Sequence, residues 1–381
     1  MVRHRMVWGA LAGGAIACGA AMACGNSGPA PWGGTGSPGG SSGGGNAGGG
    51  NPAAGGGGGN ASGSSAPTDN GTGPGPGSGT ATGGSGGTAA GGGSGSATHP
   101  MDDGGAPPPT PRMGNTCLKA GSGDYSKPGP YQVMKQASVD LASNLPAGTA
   151  TPTTYTIFYP QPFETNCPHP VVAWGNGTGV TGSDVYAFYN NNAASYGIVV
   201  IASDNSNVGS GQYHKAGIDY MVKQNADSSS MFYQKLSTRV GVGGHSQGAI
   251  GATAATNLIG AKCQAEVCVA GGGSPLKTTA FLCLTGTADQ LESSCKTTVQ
   301  IAGPPSFLAD WDGGDHFTTE TLAGYVAGNQ GSIQMMKLYA AWFRCFLADD
   351  QVACKMFEGG TPSNCGMCKD PGWATLTSKG L

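Results

Sequence analysis

Charge is scarce in this chain. Asp, Glu, Lys and Arg make up 10% of 381 residues, and the formal net charge is only −3. No basic stripe appears, which argues against a nucleic-acid partner. Long, strongly apolar runs are also lacking. The charge-free run from Met6 to Ala23 is 18 residues rich in Gly and Ala, short of the ~20 strongly apolar residues of a membrane-spanning helix. A second CxxC motif and a neighbouring histidine pair are missing beside Cys365-Gly-Met-Cys368, so a zinc site is not expected there. No metal or organic cofactor is implied anywhere, and residues 113–381 show no internal repeat.

Glycine is abundant instead, at 72 residues. From Gly25 to Arg112 there are 34 glycines in 88 positions, with only Asp69, Asp102, Asp103 and Arg112 charged. These glycines keep no period of three, so the stretch is not collagen-like. It has too little apolar surface to offset the entropy of ordering it, and a disordered linker is expected over 25–112. The remaining 269 residues, from Met113 to Leu381, suffice for one large α/β domain.

Before the linker, Arg3 and Arg5 precede the apolar run, the form of an export signal over 1–24. Ala21-Met22-Ala23-Cys24-Gly25 admits two processing routes. One resembles a bacterial lipoprotein signal, with Cys24 as the lipidation candidate and a membrane tether. The other is ordinary secretory cleavage after small residues. Leu is missing three positions before Cys24, and Ala15-Ile16-Ala17-Cys18 is a weaker second candidate. Either route predicts an exported protein, secreted or held at the cell surface. A linker of this composition reaches ~50 Å.

Ten cysteines fall in the expected domain: Cys117, Cys167, Cys263, Cys268, Cys283, Cys295, Cys345, Cys354, Cys365 and Cys368. An even number in an exported chain predicts disulfides rather than free thiols, with connectivity left open. Cys365 and Cys368 sit in a Gly/Pro-rich tail rather than at the start of a helix after a strand, so a structural bridge is expected there.

Short apolar runs predict strands at Tyr155–Tyr159, Val171–Trp174, Ile198–Ala202, Val240–Gly243, Val267–Ala270, Ala280–Leu284 and Phe307–Ala309. Helix-like segments lie near Asp184–Ser195, Tyr213–Asn225, Gln247–Leu258 and Ser332–Leu347. This alternation predicts an α/β fold with a mostly parallel central sheet flanked by helices. The early pair Gln132–Val139 and Thr154–Tyr159 lacks room for a crossover helix and predicts an antiparallel edge.

The chemistry-bearing signal is Gly244-His245-Ser246-Gln247-Gly248, between an apolar strand and the helix-like run from Ala249. That context is the one a nucleophile elbow requires, with glycines two before and two after the serine so that a sharp turn can form. A serine hydroxyl needs a base. Only His316 lies downstream of Ser246, as the order nucleophile, acid, histidine demands. The acid candidates between them are Glu266, Asp289, Glu292, Asp310, Asp312 and Asp315. Asp289 follows a strand and a short turn, where open α/β sheets gather their sites, and it is preferred; Glu292 is its nearest rival. Asp312 and Asp315 are expected to shape the histidine loop. Of the two N–H groups an oxyanion hole needs, one is expected from Gln247. The other is expected from Thr178 or Gly177, in Gly175-Asn176-Gly177-Thr178-Gly179 after the Val171–Trp174 strand. Trp174 reads as core, and His245 as structural.

From Tyr131 to Phe357 the chain resembles the α/β-hydrolases of the poly(ethylene terephthalate) hydrolase and cutinase-like group, related to dienelactone hydrolases. The elbow carries that resemblance together with the Trp174–Thr178 loop, Tyr196-Gly197-Ile198-Val199-Val200, the Asp289 turn, the Gly313–Phe317 loop and Ala341-Trp342-Phe343-Arg344 with Leu347 and Asp350. It implies an α/β-hydrolase fold, the triad Ser246, Asp289 and His316, and a hole built by Thr178 and Gln247. Two features depart from the group. An aromatic residue is usual where Thr178 stands, and a tryptophan is usual in the region Gly271–Pro275. The chain therefore lacks both of those aromatic contacts to a polymer segment.

The expectation is an exported, monomeric serine hydrolase cleaving carboxylic esters, polymeric or lipid-like ones included. The alternatives are a lipase, thioesterase or peptidase on the same triad, or a non-catalytic surface-tethered module on a hydrolase fold.

Overall fold

The computed structural model describes residues 116–317, 321–359 and 365–381. The expected signal, Cys24 and the glycine-rich linker lie outside the described residues, all of which belong to the unit Gly93–Leu381.

Among the described residues nine strands form one sheet: β1 (Gln132–Asp140), β2 (Thr154–Gln161), β3 (His169–Gly175), β4 (Val199–Ser203), β5 (Leu236–His245), β6 (Cys263–Val269), β7 (Ala280–Gly286), β8 (Ser306–Trp311) and β9 (Trp373–Lys379). Their spatial order is β1-β2-β4-β3-β5-β6-β7-β8-β9. The strands from β4 to β8 run parallel. At one edge β1 and β2 pair antiparallel, and β2 pairs antiparallel with β4. This is a mixed α/β sheet, and the expected antiparallel edge is present.

Among the described residues seven α-helices accompany it: α1 (Ala187–Ser195), α2 (Gln212–Ala226), α3 (Gln247–Ile259), α4 (Glu292–Ile301), α5 (Leu322–Val326), α6 (Gln330–Ala348) and α7 (Gln351–Cys354). Because side chains alternate along a strand, β3 serves two cores. Val172 and Trp174 pack with α1 and α6, whereas Val171 and Ala173 pack with α2 and α3. All of β3 is buried, as its unbroken apolar run implies. Trp174 is 1% exposed and belongs to the core.

Asn329 caps α6, its side-chain oxygen accepting from Ser332 N at 3.3 Å, the usual device for an orphan helix amide. Farther along, the buried Arg344 pairs with Asp350 at 2.6 Å and donates to the Tyr196 carbonyl at 2.8 Å. Tyr125 Oη donates to the same carboxylate at 2.8 Å. Burial alone would raise the pKa of Asp350, but Arg344 and these hydrogen bonds outweigh it and hold the carboxyl low. The α6 helix is thereby moored to the turn that feeds β4.

Two expectations need correction. The strands expected from the sequence end at Phe307–Ala309, but β9 after Cys368 adds an antiparallel edge to β8. Its side chains are mostly half-exposed, so it carries no strong apolar signal. The ten cysteines are also not all bridged. Cys117–Cys167, Cys283–Cys295, Cys345–Cys354 and Cys365–Cys368 form four disulfides, but Cys263 and Cys268 are free and buried. Both lie on β6, where five residues of strand separate them by ~16 Å, far beyond disulfide reach. Among the described residues no helix is long and apolar enough to cross a membrane. The four disulfides are compatible with an exported protein.

Candidate active site

Parallel strands deliver their C-terminal loops to one end of the sheet, and the site residues follow four of those ends. Ser246 closes β5, the Gly177–Thr178 segment leaves β3, Asp289 follows β7 and His316 follows β8.

Ser246 has φ 56° and ψ −118°, outside the ordinary regions for a residue with a side chain. Its N–H donates to Val269 O at 2.9 Å, and its carbonyl accepts from Ala249 N and Ile250 N as α3 begins. The flanking glycines are sterically required. A Cβ on Gly244 would sit 2.3 Å from Gly248 O, and one on Gly248 would sit 2.0 Å from Gly175 O. Strain of this kind costs ~1–3 kcal/mol and persists where the surroundings over-determine it.

Asp289 and His316 are joined through their loops. Ala288 N donates to Gly314 O at 2.9 Å, and Thr287 N to Trp311 O at 2.9 Å. Gly313 N donates to Thr287 Oγ1 at 2.8 Å. A Cβ on Gly286 would fall 2.3 Å from Gly314 O, so the two turns are packed backbone on backbone. The outcome is His316 Nδ1 at 3.0 Å from Asp289 Oδ1, with both residues 6% exposed. Leu291 N donates to the same carboxylate at 2.7 Å, and Thr285 Oγ1 reaches its other oxygen at 3.4 Å. A carboxylate facing Nδ1 holds the proton there and leaves Nε2 as the basic lone pair.

Four of the rival acids are engaged elsewhere. Glu292 and Asp310 share Lys296 at 2.5 and 3.0 Å. Asp315 Oδ1 accepts from Phe317 N within the histidine loop. Glu266 is buried, accepting from Thr253 Oγ1 at 2.7 Å and from the Cys268 thiol at 3.1 Å. His169 and His214 are buried against backbone carbonyls of Gly197 and Gly243; burial lowers the His214 pKa to about 4.

Of the two loop amides left open by the sequence, that of Gly177 donates to Tyr186 Oη at 3.3 Å. Thr178 is exposed and is the next amide along. A Cβ on Gly177 would lie 3.4 Å from Ser246 Cβ, so this loop crosses directly over the nucleophile turn. Gln247 begins α3, and its side-chain Oε1 accepts from Val208 N at 3.2 Å, fixing the first turn of the helix.

Three residues enter the site with little announcement in the sequence. Tyr186 Oη lies 2.8 Å from His245 Nδ1. The His245 ring stands 4.6 Å, centroid to centroid, from that of His316, so the residue beside Ser246 touches His316. Phe317, 68% exposed, sets its edge against His316 at 4.9 Å. Only the chain adjacency of Phe317 to His316 and of His245 to Ser246 marks them beforehand.

Among the described residues no group of three or more His, Cys, Asp or Glu could hold a metal ion. A cavity of about 420 Å³ lies along α1 and α5, walled by Tyr131, Phe188, Leu322, Tyr325 and Met336. It includes none of Ser246, Asp289 and His316 and is separate from the cluster described above. Compared with known proteins, the chain matches no family model and no curated protein sequence.

Proposed function

We propose that the chain is a serine hydrolase of the α/β-hydrolase type that cleaves carboxylic esters through an acyl-enzyme. The observation that carries this reading is the buried Asp289–His316 pair at 3.0 Å, its imidazole in ring contact with His245, the chain neighbour of a serine on a strained turn whose two flanking glycines leave no room for a Cβ. Strand order supports it as well, since antiparallel β1 and β2 precede a parallel block in which the elbow strand is central.

The steps follow from the groups in place. Ser246 Oγ attacks the ester carbonyl while His316 Nε2 takes its proton, and Asp289 stabilises the imidazolium. The tetrahedral oxyanion is met by the N–H groups of Gln247 and Thr178, because the Gly177 amide is already given to Tyr186. The imidazolium returns the proton to the departing alcohol. Water, deprotonated by His316, then releases the acid. Phe317 offers an exposed aromatic wall beside the base, which suits an apolar acyl or alcohol portion and supplies some of the aromatic surface that Thr178 does not.

The direct test is Ser246→Ala on full-length protein with p-nitrophenyl esters of increasing chain length, a thioester, a peptide and a polyester film. Turnover should fall by ~10⁴-fold or more, and a fluorophosphonate probe should label the parent at Ser246 only. Ester cleavage retained by Ser246→Ala would overturn the reading, as would a parent that neither cleaves nor labels; the latter result favours a non-catalytic module. The substrate series decides between esterase, lipase, thioesterase and peptidase.

A further inference from the structure

Two loops of this site are joined by a hydrogen-bonded chain that the mechanism above does not use. The Gly177 amide donates to the Tyr186 hydroxyl at 3.3 Å, and that oxygen lies 2.8 Å from His245 Nδ1. The His245 side chain also hydrogen-bonds the backbone of His316. That hydrogen bond favours the charged ring, so the backbone group is an accepting carbonyl; with Nδ1 already facing Tyr186, Nε2 is the nitrogen that carries the proton toward it. Nδ1 is then a lone pair, and Tyr186 must donate to it. The chain therefore has one direction: Gly177 N–H to Tyr186 oxygen, Tyr186 O–H to His245 Nδ1, His245 Nε2–H to His316 C=O.

Burial leaves His245 3% exposed and pushes its pKa down to about 3, with the neighbouring His316 adding to the shift. The ring thus keeps the neutral form that this directionality needs. The packing agrees. A Cβ on Gly177 would come within 2.9 Å of both His245 Nδ1 and Tyr186 Oη, so the loop after β3 rests directly on the pair.

The connection matters because the sheet does not make it. The loops after β3 and β8 leave strands separated by β5, β6 and β7, a gap of ~19 Å at the usual strand spacing. An oxyanion donor and a general base must nevertheless meet one tetrahedral carbon to within ~0.5 Å. Asp289 holds His316 from the β7 side. Something must hold it from the β3 side.

We propose that Tyr186 and His245 are positioning residues that set the spacing between the oxyanion-hole loop and the His316 loop for the reaction at Ser246. The proposal rests on the serine-hydrolase reading. Neither residue exchanges a proton with substrate; they act through the backbones of Gly177 and His316.

The test uses the full chain, Tyr186→Phe, His245→Gln and the double variant. Phosphonate labelling is followed to its end point to count sites, and its rate is recorded separately. Each single variant should lower kcat per labelled site ~10–100-fold, the scale of a small misplacement, with KM changed less than about threefold. His245→Gln keeps an amide donor toward the His316 carbonyl and should be the milder one. The double variant should be no slower than the worse single, since both break one chain. A purely structural role would lower the melting temperature and the number of labelled sites while leaving kcat per site at the parental value, and that result overturns the proposal. Losses that multiply in the double variant overturn it too. If Tyr186→Phe yields no folded protein, the His245→Gln result decides alone. A parent that is neither labelled at Ser246 nor active on esters sinks the hydrolase reading and this proposal with it, a pattern distinct from an active parent with unaffected variants.

Discussion

His316 Nδ1 stands 3.0 Å from Asp289 Oδ1, although 27 residues and the whole of α4 and β8 separate them in the chain. The carboxylate also accepts from the Leu291 amide at 2.7 Å, so it is aimed before any substrate arrives. Its purpose in the proposed reaction is to hold the imidazole in the tautomer that leaves Nε2 basic.

Replacing Asp289 by Asn tests that purpose. The amide can present N–H toward Nδ1, which favours the opposite tautomer and removes the lone pair from Nε2. On a p-nitrophenyl ester, kcat should drop ~10³–10⁴-fold while circular dichroism stays native. Activity above a tenth of the parent would remove Asp289 from its assigned place.

Backbone strain at Ser246 should be visible as stability. Ser246→Ala and Ser246→Gly both lose the hydroxyl, but only glycine relaxes at φ 56°. Ser246→Gly should therefore unfold at higher denaturant than Ser246→Ala, by about 1 kcal/mol. Equal stabilities would mean the turn is not strained.

Phe317 is exposed beside His316. Phe317→Ala should raise KM for aromatic and long-chain esters several-fold while leaving acetate esters nearly unchanged, because one apolar contact is worth ~1–3 kcal/mol. A uniform loss across the series would make Phe317 a loop-shaping residue instead.

Glu266 predicts a pH effect on stability. Burial pushes its pKa up to about 7, partly opposed by hydrogen bonds from Thr253 and Cys268. The folded protein therefore holds this proton more tightly than the unfolded chain, whose carboxyl titrates near 4.5. The sign follows: the contribution is fully present below pH 4.5 and is lost as pH rises through 7, a difference of about 3 kcal/mol. Urea unfolding from pH 5 to 8.5 should show the decline in the parent and a flatter profile in Glu266→Gln. Identical slopes would rule the assignment out.

What could be read from the linear chain depended on short-range sterics. The strands of the parallel block stood out as unbroken apolar runs. The elbow stood out because a serine turn of this shape needs Gly244 and Gly248 within four residues, and contacts of 2.3 and 2.0 Å show why. Helix α4 was missed because it follows the Asp289 turn with mostly polar residues and buries only Cys295, Thr298 and Val299. Strand β9 was missed because an edge strand need not be apolar.

The order of residues alone marked Ser246 and His316 and ranked Asp289 first, since local turn geometry and the direction of parallel strands constrain those positions from nearby chain. Folding in three dimensions decided the rest: which eight of ten cysteines bridge, that Tyr186 takes the Gly177 amide, and that the His245 ring meets that of His316. The Cys117–Cys167 bridge and the His245–His316 contact depend on distances between segments remote in sequence. Such distances are set by how two cores pack across one sheet, and no window of neighbouring residues encodes them.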